Sequence, residues 1–225
     1  MLETIEIETA PNPSAAVIWM HGLGADGNDF VPIVRELDLT GAPAIRFVFP
    51  HAPTRPVTIN NGYVMRAWYD ISFGDLEGHS RKADAQGVRE SQAQIEALIA
   101  RENGRGIGSH NIVLAGFSQG GAMALHIGLR HAQKLAGVMA LSCYLPLAET
   151  FAQEAAPANA KTPVFMAHGA HDPVVPYTMG RTSADMLQLS GYAVEWHEYP
   201  MQHSVCLEEV ADIGRWLSGV LGRPR

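Results

Sequence analysis

Asn111-Ile-Val-Leu-Ala-Gly116-Phe117-Ser118-Gln119-Gly120-Gly121 reads as a short apolar strand, a Gly-x-Ser-x-Gly turn and the opening of a helix. The aliphatic run before Gly116 suits a strand covered on both faces. A strand that turns this sharply into a helix holds its serine in a strained backbone conformation. It also needs glycine at 116 and 120, where a side chain would collide. The turn pushes the Ser118 hydroxyl out at the carboxyl end of the strand, beside free helix N–H groups that favour an oxyanion. A glycine-rich turn with an inert serine has the same five letters; the strand before it and the helix after it separate the two readings.

Outward from this turn, apolar runs alternate with helical patterns in both directions, the signature of an α/β protein with a mostly parallel central sheet and helices on both faces. Strands are expected at Ile5 to Glu8, Val17 to Met20, Arg46 to Phe49, Asn111 to Ala115, Gly137 to Leu141, Val164 to Ala167 and Val194 to Tyr199. Helices are expected at Phe30 to Leu37, Ala83 to Arg101, Gln119 to Arg130, Tyr177 to Ser190 and Leu207 to Leu221. In the second of these, Val88, Ile95, Leu98 and Ile99 form an apolar stripe, while Arg89, Glu90, Gln94 and Glu96 face water. Asn60-Asn61-Gly62 between Pro-Val-Thr-Ile and Tyr-Val-Met is a hairpin signal inside the long loop Pro50 to Gly74. That hairpin reads as a fixed flap. Between Leu141 and Val164 there is room for one short helix, around Ala148 to Glu154, and not for a large lid domain.

The chain has 225 residues, 47% hydrophobic and 17% charged, which suits one folded domain spanning 1–225. Its 16 Lys and Arg against 23 Asp and Glu give a net charge of -7, with no basic run, so nucleic acid is not an expected partner. No apolar run approaches the ~18 residues of a membrane span. The first residues carry three glutamates and do not read as a targeting segment. Cys143 and Cys206 match no metal or redox spacing, and two reduced thiols in the cytoplasm are the expectation.

A serine hydroxyl needs a neutral imidazole to take its proton. Where this elbow occurs, the acid and then the base follow the nucleophile along the chain. His203 comes directly after the last strand and is the candidate base. Asp172, in the turn after Val164 to Ala167, is the candidate acid, which would fix the imidazole tautomer and stabilise the imidazolium. Alternatively, His203 is an inert loop residue and Asp172 only caps the turn before Pro173. His197 lies in a strand pattern, His79 in a polar loop, and His110, His126 and His131 on or beside helical surfaces. His51 follows a strand and could line the site, but it precedes the nucleophile. His168, His171 and Asp172 share no helical face, so no metal site is assigned.

Val17-Ile-Trp-Met20-His21-Gly22-Leu23-Gly24 places a glycine-rich loop after an early strand. Such a loop turns one backbone N–H toward the nucleophile, and the residue after the serine supplies the second. Leu23 and Gln119 are the candidate oxyanion donors, both through the main chain, with His21 bracing the loop.

Together His-Gly-Leu-Gly-Ala-Asp (21–26), Ala-Pro-x-Arg-Pro-Val-Thr (52–58), Trp-Tyr-Asp (68–70), Gly-Phe-Ser-Gln-Gly-Gly (116–121), His-Gly-x-x-Asp-Pro-Val-Val-Pro (168–176) and His203 form a pattern. From about Ala16 to Leu221 the chain resembles bacterial carboxylesterases of the phospholipase/carboxylesterase family, which includes the acyl-protein thioesterases. The resemblance implies an α/β-hydrolase fold, a Ser118, Asp172, His203 triad and an oxyanion hole at Leu23 and Gln119. It also implies cofactor-free hydrolysis of carboxylic esters; the lack of room for a lid adds the expectation of short to medium acyl chains entering from solution. An acylated protein or a lysophospholipid is the alternative substrate. Trp68, Tyr69, Leu145 and Val174 are implied as acyl-pocket residues, and each fits equally well as packing. Gln202 departs from the glycine or proline common before the base. A non-catalytic binding module on the same fold is the reading from another class, and it would need none of these roles together. A homodimer is compatible with the sequence without being specified by it.

Overall fold

The computed structural model describes residues 1–72, 74 and 84–222. Its strands are β1 (Thr4–Glu8), β2 (Ala15–Met20), β3 (Ile45–Pro50), β4 (Thr54–Val57), β5 (Tyr63–Arg66), β6 (Ile112–Phe117), β7 (Gly137–Leu141), β8 (Val164–Gly169) and β9 (Val194–Tyr199). Its α-helices are α1 (Ala85–Gly104), α2 (Gln119–Gly128), α3 (Ala148–Glu154), α4 (Tyr177–Leu189) and α5 (Leu207–Leu221). Seven strands form one sheet in the order β1-β3-β2-β6-β7-β8-β9, while β4 and β5 form a separate hairpin. β1 is antiparallel to β3, and the other pairings of the large sheet are parallel. This is the α/β-hydrolase architecture.

Side chains of successive strand residues point to opposite faces, so an all-apolar strand feeds two cores at once. Val17, Trp19, Phe47, Phe49 and Phe165 pack with Ile213, Trp216 and Leu217 of α5. Ile18, Met20, Leu114, Val138 and Met166 pack with Val88, Ile95, Leu98 and Ile99 of α1. Each large apolar side chain so buried contributes about 1.5–3 kcal/mol. The stripe expected on α1 is therefore its buried face. Arg89 and Glu90 are exposed as expected, whereas Gln94 and Glu96 are half-buried.

Two expectations are corrected. Phe30 to Leu37 is not an α-helix but a short 3₁₀ helix, Val31–Arg35, closed by Ile33 N–H to Phe30 O and Glu36 N–H to Ile33 O. Pro32 has no N–H to give to a longer helical ladder. His126 is not on a helical surface: every residue of α2 is buried, and the His126 imidazole, turned to Gln92 of α1, is depressed by burial to about 3. His79 and the first expected residue of α1, Ala83, lie outside the described residues.

The Asn61-Gly62 hairpin forms as expected, with both residues at positive φ. Its base is tied down where the Thr58 N–H and hydroxyl donate to the Asp70 carboxylate at 2.7 and 2.6 Å. From β2 the chain crosses to β3 on one side, and from β6 it continues through β7 to β9 on the other. The neighbouring carboxyl ends of β2 and β6 are thus a topological switch point, where α/β sheets open a crevice.

Candidate active site

At that crevice β6 runs into Ser118, whose φ of 54° and ψ of -121° lie outside the ordinary regions for a side-chain-bearing residue. Such a conformation costs of order 1–3 kcal/mol and persists because the surroundings impose it. Here the Ser118 N–H donates to Leu141 O of β7 at 2.8 Å, and the Ser118 carbonyl accepts the Ala122 N–H at 3.0 Å. A Cβ on Gly116 would lie 2.2 Å from Gly120 backbone atoms. The elbow is closed because both positions are bare.

The loop after β9 brings His203 over the serine. A Cβ on Gly169 would meet the Gln202 carbonyl oxygen at 2.3 Å, so the loop lies directly on the end of β8. The His171 N–H also donates to Met201 O at 3.0 Å. The loop is held through main-chain contacts, with the Gln202 side chain exposed. The His203 ring packs against Phe117, with centroids 4.7 Å apart.

Asp172 is buried in the turn after β8. One carboxylate oxygen, Oδ1, accepts the Val174 and Val175 N–H groups at 2.8 and 2.9 Å. The other accepts His203 Nδ1–H at 2.6 Å. With Nδ1 carrying the proton, Nε2 is left as an acceptor, 2.9 Å from Ser118 Oγ. Burial alone would push the Asp172 carboxyl up, but the hydrogen bonds from His203, Val174 and Val175 outweigh it and hold it below its usual value. A charged carboxylate at Nδ1 fixes the ring's orientation and tautomer, leaving Nε2 turned to the serine.

The glycine-rich loop after β2 meets the elbow closely. A Cβ on Gly22 would lie 3.5 Å from Ser118 Cβ. Gln119 opens α2, so its N–H has no intrahelical partner, and the Leu23 N–H has no hydrogen-bond partner among the described residues. His21 braces this loop: Nδ1–H donates to Gly22 O at 2.7 Å and Nε2 accepts the Ala52 N–H at 3.0 Å. Burial depresses it to about 4, which keeps that neutral tautomer. His51 is a second brace, its Nδ1 accepting the Gly27 N–H at 3.1 Å.

The four residues implied as an acyl pocket separate. Trp68 is fully buried beneath the loop, its indole N–H donating to His21 O at 2.9 Å, and it presents no surface to a ligand. Tyr69 is buried with its hydroxyl 3.2 Å from that of Tyr144. Leu145 borders a cavity of about 260 Å³ with Tyr144, Ala148, Met179 and Met186. Val174 is 49% exposed beside Asp172.

His168 is fully buried and spends its Nε2–H on Val175 O at 2.9 Å, while His171 is exposed. Among the described residues no three His, Cys, Asp or Glu side chains are grouped to hold a metal ion. Cys143 is buried, and burial pushes its thiol up, away from the reactive thiolate. No helix among the described residues is long and apolar enough to cross a membrane.

The model of the phospholipase/carboxylesterase family matches residues 3–221. The chain belongs to that family. An acyl-protein thioesterase 1 of Neurospora crassa is 44% identical over 217 residues, covering 91% of this chain and 86% of that protein. An acyl-protein thioesterase 1 of Cryptococcus neoformans is 37% identical, covering 98% of both. Among solved structures, that of Zea mays acyl-protein thioesterase 2 is 28% identical, with a TM-score of 0.84, and covers 98% of this chain and 100% of that one. The family and its hydrolase chemistry are therefore this chain's own. A bacterial affiliation within the phospholipase/carboxylesterase family is not supported, since these relatives are fungal and plant proteins.

Proposed function

We propose that this hydrolase removes acyl groups from protein cysteine thioesters through a covalent acyl-serine. The observation that carries the chemistry is the continuous line from Asp172 through His203 to Ser118, with contacts of 2.6 and 2.9 Å. In this reading His203 Nε2 takes the Ser118 proton as Oγ attacks the thioester carbonyl carbon. The carbonyl oxygen becomes an oxyanion facing the Leu23 and Gln119 N–H groups. The intermediate collapses, the C–S bond breaks, and His203 returns the proton to the departing thiolate. Water then adds to the acyl carbon as it loses a proton to His203, the bond from that carbon to Ser118 Oγ breaks, and His203 returns the proton to Oγ as the carboxylic acid leaves. Asp172 holds the imidazole in the required tautomer throughout.

The acyl-protein substrate rests on the two thioesterase relatives above. A second reading, a carboxylesterase of dissolved short- and medium-chain esters, uses the same atoms, and Ser118 and His203 are both partly exposed to solvent. Competition decides between them. An S-palmitoylated peptide and a series of 4-nitrophenyl esters of rising chain length are given to the same enzyme. The thioesterase reading expects a higher kcat/KM on the acylated peptide than on the acetate ester. An enzyme that turns over the esters and leaves the peptide intact is a carboxylesterase instead.

A further inference from the structure

The Gln119 side chain does work that its backbone role does not require. Its Oε1 accepts the Trp68 N–H and its Nε2–H donates to Tyr69 O, both at 2.8 Å, so one amide grips two consecutive residues of a distant segment. Ser91 of α1 adds a hydrogen bond from its hydroxyl to Trp68 O. The indole of Trp68 then reaches the other way, donating to the His21 carbonyl at 2.9 Å. His21 stands two residues before Leu23, and its own ring is fastened to Gly22 O and the Ala52 N–H.

We infer that the Gln119 amide and the Trp68 indole form a brace that sets the spacing between the two oxyanion donors, making both side chains positioning residues for the reaction. This rests on the oxyanion reading above. The donors belong to segments far apart in the chain, one at the end of β2 and one at the start of α2. No turn links them, and the oxyanion is bound only if both N–H groups converge on one point. The brace starts from the residue that carries one donor and ends two residues before the other. All its links are buried, where an unpartnered polar group is costly, so it has one favourable arrangement. Trp68 thus serves the reaction from beneath the glycine-rich loop.

The test compares Trp68→Phe, which keeps most of the ring and loses the N–H, with Gln119→Met, which keeps the length and loses both hydrogen bonds. Both are measured on a soluble acetate ester and with a trifluoromethyl ketone, which Ser118 converts to a bound hemiketal oxyanion. Active sites are counted by titration, so that rates refer to folded enzyme only. Each variant is expected to lose about 10- to 100-fold in kcat, the scale of a misplaced group, with KM within about twofold. The ketone should weaken by the same factor as kcat/KM falls. The double variant should lose little more than either single one, because both cut the same brace. Wild-type kcat and ketone affinity per titrated site in either variant would overturn the inference, leaving the network as packing. A ketone that forms no hemiketal on the wild-type enzyme would instead overturn the oxyanion reading and the brace with it.

Discussion

Gly120, in the first turn of α2, lies so close to Met20 at the end of β2 that a Cβ on it would stand 2.2 Å from the Met20 carbonyl oxygen. The obstacle is backbone of a buried central strand, which cannot swing aside as a side chain could. Gly120→Ala therefore moves the helix start away from the end of β2 and the glycine-rich loop that follows it. Overpacking of this kind costs about 1–3 kcal/mol, and a shift near 1 Å at the reacting atoms costs about 100-fold in rate. Thermal unfolding and kcat, measured together, should both fall; a variant with wild-type kcat would mean that the two segments separate freely.

Ser118→Ala should abolish the acyl-enzyme burst and reduce kcat by about six orders of magnitude. Relief of the positive φ strain is small, since alanine meets the same backbone conformation. A fluorophosphonate should label the wild type at Ser118. Mass-spectrometric localisation of the label on Ser142 or Ser204 would displace Ser118 as nucleophile.

Asp172→Asn keeps the size of the side chain and can still accept at Oδ1 from Val174 and Val175. Its amide nitrogen facing His203 Nδ1 would drive the proton to Nε2, where the serine proton must arrive. A loss of about 10⁴ in kcat is expected, with little change in KM. Activity near wild type would assign the orientation of His203 to another group.

Glu209, in the first turn of α5, is fully buried, with the Cys206 backbone N–H facing its carboxylate. Burial pushes it up to about 8 from an ordinary 4.5. Between those values the unfolded chain releases the proton and the folded protein keeps it. Stability therefore falls as pH rises through that window, by at most about 1.4 kcal/mol per pH unit for this one proton, and levels off above it. Glu209→Gln cannot ionise, so the difference in Tm between variant and wild type should grow in the variant's favour from pH 5 to pH 8. An offset independent of pH would show that Glu209 does not keep its proton in the fold.

What the sequence by itself determined follows from short-range physics. The sterics of Gly116-x-Ser118-x-Gly120 allow one kind of turn. Apolar runs alternating with 3.6-residue patterns allow one class of sheet. The positions of Asp172 and His203 after successive strands brought them to the same sheet edge as Ser118. The hairpin at Asn61-Gly62 was legible for the same reason, since positive φ is a local demand.

Tertiary structure decided everything that depends on residues meeting across the chain. Only the packed fold sets His203 at 2.6 Å from Asp172 and 2.9 Å from Ser118, ties Val175 to His168, and joins Gln119 to Trp68 and Trp68 to His21. It likewise buries His126 under α1 and encloses the Glu209 carboxylate in the core. Periodicity marks which face of an element turns inward, but it carries no information about which polar atom waits there. A hydrogen bond between distant segments is selected by the desolvation cost of leaving either group unpaired, and that cost exists only once the core has closed around both.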